Sequence, residues 1–304
     1  MKLNIQNETS RLRSVVLGTA NSTGGEPKIE EAYDPKSIEH IKAGTYPKEL
    51  DMIAEMNAVA RIFEKYDVDV YRPQTIEDYN QIFTRDIAIV IEDKFIKSNM
   101  IPDRSKEIDG IQYLIDDISP NNVCTAVSGN THFEGGDIVL HNDHIFIGTY
   151  KGDDYDNCIV ARTNMNGVAY IRELFPNKIV KEFDLKKSTI DPKNNALHLD
   201  CCFQPVGKNK AIIHKEAFKN KEDYQYLVDF FGNENLFHIT KKEMYHMNSN
   251  VFSIDDNVVI SEKNFTRLNN WLRSINITVE EVNYAEIAKQ EGLIRCSTLP
   301  LLRD

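Results

Sequence analysis

Four stretches of this 304-residue chain repeat one pattern, and the repeat constrains the fold more than any single motif does. They are DIAIVIEDKFIKSNM from Asp86, DIVLHNDHIFIGTY from Asp137, DCCFQPVGKNKAIIHKEAF from Asp200 and NVFSIDDNVVISEKNF from Asn250. Each opens on a short polar residue, runs through apolar-rich positions, breaks at a polar turn and resumes as a second β-rich run. Each therefore reads as a β-hairpin. The breaks fall at Glu92-Asp93, Asn142-Asp143, Gly207-Lys208-Asn209 and Asp255-Asp256-Asn257. The opening residues lie 51, 63 and 50 positions apart, so each hairpin owns a segment of similar length.

Helix-like segments fill the intervals. In KELDMIAEMNAVARIFEKY, Lys48 to Tyr66, the residues Leu50, Ile53, Met56, Ala60 and Phe63 recur at helical spacing before the strand VDVYRP. DYQYLVDFFG precedes NLFHI, and LNNWLRSINI precedes TVEEV, in the same order. Five such intervals account for the chain if RLRSVVLG at its start and CSTLPLL at its end complete one unit between them. Termini that meet leave no unpaired sheet edge, which favours a closed ring of repeated β/α modules over a linear solenoid. An open doubly wound sheet is the competing topology. No linker rich in Pro, Gly or Ser divides residues 1–304, so a single domain is expected.

In such a ring the residues that open each hairpin converge on one central cavity. Here they are Phe83-Thr84-Arg85-Asp86, Glu134-Gly135-Gly136-Asp137, His198-Leu199-Asp200 and Asn248-Ser249-Asn250, with Arg295-Cys296-Ser297 at the final strand. Taken alone, each has an ordinary structural explanation. EGGD suits a turn whose glycines supply positive φ, FTRD a local Arg–Asp salt bridge, HLD a core histidine, and a lone cysteine a small buried hydrophobe. Their recurrence at equivalent module positions favours a site built of carboxylates, a histidine and a thiol.

Charge and cysteine usage narrow the chemistry. Lys plus Arg number 36 against 47 Asp plus Glu, a net charge of −11 that argues against sequence-independent binding to nucleic acid. A small cationic or neutral ligand fits better. The five cysteines show no CxxC spacing, so neither a disulfide framework nor a zinc site is expected. The opening MKLNIQNETSRLRSVVLG lacks the apolar core of a signal peptide, and no run approaches the ~18 apolar residues of a membrane helix. The expectation is a soluble, cytoplasmic protein, with a homodimer as the assembly.

From RSVVLG through EMNAVARIFEKYDVDVYRP, FTRD, HFEGGD, VARTN, HLD and MNSNVF to RCSTLPLLRD, the chain resembles the guanidino-group-modifying enzymes. These include arginine deiminases, dimethylarginine hydrolases and glycine amidinotransferases. The resemblance implies a five-bladed α/β-propeller (pentein) of repeated ββαβ modules around a central active site, in agreement with the repeat count. It makes Cys296 the nucleophile, His198 the general acid and base, and Glu134 the carboxylate paired with that histidine. It makes Asp86 and Asp200 the holders of the substrate guanidinium and Arg162 the grip on a substrate α-carboxylate, with Asp137 in support; Asn250 has no assigned role.

The chemistry accounts for these types. A guanidinium is a planar cation with fixed N–H donors, which paired carboxylates bind through charge-assisted bonds. Its resonance-stabilised carbon needs a thiolate at close range and a donor to protonate the departing amine. The carboxylates should disfavour that thiolate in the empty enzyme, so Cys296 is expected to be a thiol until a cation binds. No cofactor and no metal are expected. The implied activity is hydrolysis of a guanidino compound, such as arginine or a methylarginine, through an S-alkylthiouronium to a ureido product and ammonia or alkylamine. An amidinotransferase is the alternative, and a non-catalytic binding protein of the same fold the third reading. QEGLIRCSTLPLLRD lacks the glycine run that many family members carry beside the nucleophile, which puts arginine itself in doubt. In that loop Glu291 could favour a cationic tail, and Arg295 is either an anion anchor or the partner of an acid.

Overall fold

The computed structural model describes residues 1–126 and 128–304, which form five separate three-stranded sheets. Four sheets follow the four hairpins. They contain β3 (Ala88–Ile91), β4 (Lys94–Lys97) and β5 (Val123–Thr125), then β6 (Ile138–His141), β7 (His144–Thr149) and β8 (Ile179–Asp184). Next come β9 (Phe203–Val206), β10 (Lys210–Ile213) and β11 (Leu236–His238), then β12 (Phe252–Asp255), β13 (Val258–Glu262) and β14 (Thr278–Val282). The fifth sheet joins the two ends of the chain. Its centre is β1 (Leu12–Leu17), flanked by β15 (Thr298–Arg303) and β2 (Asp69–Tyr71).

All five sheets share one topology. The middle strand runs antiparallel to one neighbour and parallel to the other: β4 to β3 and β5, β7 to β6 and β8, and likewise around to β1 with β15 and β2. The antiparallel partner is reached by a tight turn, and the turns fall where the polar breaks predict them. In the β6–β7 turn Asn142 takes φ 53°, a left-handed conformation asparagine tolerates, and Gly207 takes φ 57° in the β9–β10 turn. A parallel partner needs a crossover, and helical residues supply one each time: 49–65, 112–115, 165–174, 221–231 and 266–274. The repeating unit is therefore strand, strand, helix, strand.

Burial grades across each sheet. β3 and β9 are buried along their whole length, whereas β2 and β5 have no fully buried residue. The helix Glu49–Lys65 turns a different face to the core from the one its periodicity suggests. Met52, Met56, Val59 and Phe63 are buried, while Leu50 is 79% exposed. Leu50 lies in the first turn, beyond the sheet edge the helix covers, and Phe63 closes the far end edge-on to Phe252 with ring centroids 5.5 Å apart. Each fully buried side chain of this row contributes about 1.5–3 kcal/mol relative to exposure. No helix among the described residues is long and apolar enough to cross a membrane.

Candidate active site

A tight turn precedes every hairpin, helical in the first three, and one i to i+3 bond is the same in all five modules. Asp86 N–H donates to Phe83 C=O (3.2 Å), Asp137 to Glu134 (3.1 Å), Cys201 to His198 (3.2 Å), Asn250 to Met247 (2.9 Å) and Thr298 to Arg295 (3.0 Å). Asp86, Asp137 and Asn250 thus share a backbone geometry, whereas in the third module the equivalent position is Cys201, one residue beyond the Asp200 that the repeat suggests. Side chains from these turns make the site.

His198 is buried, with its Nε2 2.8 Å from Glu134 Oε2 and its Nδ1 3.7 Å from Asp86 Oδ1. Burial alone would lower its pKa, but Asp86, the Glu134 hydrogen bond and Asp137 outweigh it and raise the pKa to about 9. His198 is then an imidazolium at neutral pH, with both ring nitrogens available as donors. Burial works against the Glu134 carboxylate too, yet Arg162, His198 and Arg104 together hold its pKa well below the usual range. Arg162 Nη1 reaches both Glu134 oxygens at 3.2 Å, Nη2 donates to Tyr33 C=O (3.0 Å) and Nε to Ile159 C=O (2.6 Å).

The glycines of EGGD serve closeness rather than turn conformation. Neither Gly135 nor Gly136 has positive φ, but a β-carbon on Gly136 would lie 2.7 Å from both Asp86 Oδ1 and His198 Nδ1. One on Gly135 would lie 2.1 Å from Arg85 C=O. The Arg85–Asp86 salt bridge that FTRD suggests does not form. Asp86 Oδ2 instead accepts from Arg104 Nη1 (2.8 Å), and Arg85 Nε reaches Arg295 C=O (3.4 Å). Asp86 Oδ1 is buried without a hydrogen-bond partner.

Cys296 is held by Asn250 at two points. Its N–H donates to Asn250 Oδ1 (3.0 Å), and Asn250 Nδ2 donates to its Sγ (3.1 Å). Asp200 Oδ2 lies 3.5 Å from the sulfur. Burial, then Asp200 and Asp86, push the Cys296 thiol well above its ordinary pKa, the direction expected of a cysteine ringed by carboxylates. Arg295 is fully buried between acids, with Nη1 2.8 Å from Asp200 Oδ2 and Nη2 2.9 Å from Glu8 Oε1. It is an ion-pair partner and not an anchor for an external anion.

A cavity of about 240 Å³ is lined by Asp86, Arg162, His198 and Cys296 among others. Asp137 and Asp200, also expected at the substrate, are fully buried and do not line it. Asp137 Oδ1 accepts from Leu199 N–H (2.9 Å), so it secures the turn carrying His198, and no substrate contact is open to it. Arg162 lines the cavity, with its guanidinium bonded to Glu134 and two carbonyls. Missing from the sequence reading were Arg104 and Glu107, which pair through two bonds of 2.6 and 2.9 Å inside the cavity, and Glu8. The signal for the first pair was the i, i+3 spacing in DRSKE, which surface pairs share. Ligand atoms of Asp86, Glu134 and His198 lie within 4.8 Å of one another, a spacing that could also hold a metal ion. Arginines already bond the first two of these residues.

A family model described as N,N dimethylarginine dimethylhydrolase, eukaryotic, matches residues 41–303. The uncharacterized protein YkgA of Bacillus subtilis (strain 168) is 27% identical over 225 residues, covering 73% of this chain and 70% of that protein. The arginine deiminase of Pediococcus pentosaceus is 26% identical over 57% of this chain, and the match spans only 48% of the deiminase. Among solved structures, SxtG, an amidinotransferase from Microseira wollei in the saxitoxin biosynthetic pathway, superposes with a TM-score of 0.77 at 17% identity. That superposition covers 99% of this chain and 97% of SxtG, a likeness of fold.

Proposed function

The chain belongs to the N,N dimethylarginine dimethylhydrolase family, within the guanidino-group-modifying enzymes, and on that premise we propose that it is a cysteine hydrolase of a guanidino compound. The observation that carries the reading is one cavity lined by Cys296, by an imidazolium at His198 and by Asp86, one of whose carboxylate oxygens accepts no hydrogen bond. In this reading the five sheets are blades of a single closed α/β-propeller domain, and the cavity is its central active site.

Asp86 Oδ1 takes the substrate guanidinium, and Asp200, outside the cavity lining and paired with Arg295, flanks the sulfur. The arriving cation offsets the carboxylates that disfavour a thiolate, and the thiol proton passes to solvent in the cavity as it binds, since His198 is already protonated. Sulfur attack on the guanidinium carbon gives a neutral tetrahedral adduct. His198 donates its proton to the departing nitrogen, the C–N bond breaks and an S-alkylthiouronium remains. Neutral His198 then takes a proton from water as the water adds to that carbon. Collapse of the second adduct expels the sulfur, which takes up the hydroxyl proton to restore the thiol and leaves a neutral ureido product. Glu134 keeps His198 oriented, and Arg162 keeps Glu134 ionised.

The test is product analysis by mass spectrometry after incubation with arginine and N-methylated arginines, with and without glycine or other amines. A ureido product and free amine are expected. Amidino transfer to the added amine without any ureido product would replace hydrolysis by transfer. An unreactive Cys296 towards a haloacetamidine, with no turnover of any guanidine, would favour a binding protein.

A further inference from the structure

The cavity carries a second acidic centre that the hydrolytic machinery does not use. Glu291 sits in the loop before Cys296, 4% exposed, in a left-handed conformation with φ 58°. Its Oε1 accepts from Asn195 Nδ2 (2.7 Å), and its Oε2 is buried with no hydrogen-bond partner. Asp34 lines the same cavity and is also buried, with Oδ1 accepting from Ser37 N–H (2.7 Å). Burial, then the Asp34 carboxylate, raise the Glu291 pKa well above the ordinary range, as expected of a carboxylate short of a cation. The nearest ammonium, that of buried Lys36, acts on Glu291 and Asp34 through space, but it bonds Tyr245 C=O (2.6 Å) and forms no ion pair with either acid among the described residues.

The other charges on the wall point the same way. Seven acids line the cavity against two arginines and the His198 imidazolium. Arg104 is bonded to Glu107, Asp86 and Glu134, and Arg162 to Glu134 and two carbonyls, so neither has charge to spare for a carboxylate. Burial therefore favours the protonated form of Glu291, and an ammonium arriving there would stabilise its carboxylate.

Building on the hydrolase reading for the guanidinium end, we propose that the substrate is an aminoalkylguanidine. It carries a primary ammonium held by Glu291 and Asp34 and no carboxylate.

Binding can be read without turnover by calorimetry on the Cys296→Ser variant, using 4-aminobutylguanidine, butylguanidine, 4-guanidinobutyrate and arginine. The aminobutyl compound should bind about tenfold more tightly than butylguanidine, with both carboxylates weaker still. Adding Glu291→Gln, or Asp34→Asn, which preserves the helix cap, should shrink that gap by a similar factor. Arginine or 4-guanidinobutyrate binding as tightly as 4-aminobutylguanidine, or a gap unchanged in both variants, would overturn the assignment. Turnover of arginine with 4-aminobutylguanidine rejected would overturn it while upholding the hydrolase. The expected binding order with no guanidine turned over would uphold it and remove the hydrolase.

Discussion

At position 296 the surroundings work against the reactive form of the residue. Buried, with Asp200 Oδ2 3.5 Å away, Cys296 stays protonated where an ordinary thiol, half ionised near ~8.5, already reacts. Because a raised pKa keeps the proton on as pH rises, iodoacetamide labelling of the empty enzyme should still be climbing at pH 9. A non-reactive guanidine should shift the profile to lower pH after correction for shielding. A labelling midpoint below ~8 without ligand would contradict this. Gly136 makes a second test, since its missing side chain lets Asp86 and His198 approach. Gly136→Ala should cut kcat/KM by about 100-fold or more with the fold intact by circular dichroism, because an ångström of misplacement is costly there. Wild-type activity in that variant would show the close approach to be incidental.

Among the elements, the helix Glu49–Lys65 separates burial from periodicity. Met56 is 1% exposed and Leu50 79%. Met56→Ala should therefore cost about 2–5 kcal/mol in denaturant unfolding, and Leu50→Ala within about 0.5 kcal/mol. Equal losses would mean the helix is seated otherwise. Both residues satisfied the same helical template, and only the position of the sheet beneath the helix distinguished them. The tight turns before the hairpins were a similar case. Short polar openings were legible, but their common i to i+3 bond depends on the chain arriving from the preceding module, which no local pattern encodes.

For the whole molecule, the two ends of the chain are joined by β1 and β15, whose register pairs Leu17 with Thr298 and Leu12 with Arg303. Deleting residues 298–304 leaves the fully buried Val15, Val16 and Leu17 without an antiparallel neighbour. The truncated chain should aggregate or lose its cooperative thermal transition, since an exposed apolar edge invites pairing with other chains. A soluble product with an unchanged Tm would show that this pairing is dispensable.

The sequence by itself determined the hairpins, their turns, three of the five helical crossovers and the types of residue at each module's opening. Those features follow from periods of 2 and 3.6 and from turn chemistry, which act over a few residues. Only the tertiary structure decided which charge meets which. Arg295 finds Glu8 across 287 positions, Arg162 finds Glu134 rather than solvent, and Asp137 anchors the Leu199 backbone 62 positions away. Long charged side chains pair by proximity in space, and in a buried centre each must find an opposite charge or an N–H donor, so their roles are set by the tertiary arrangement and not by local spacing.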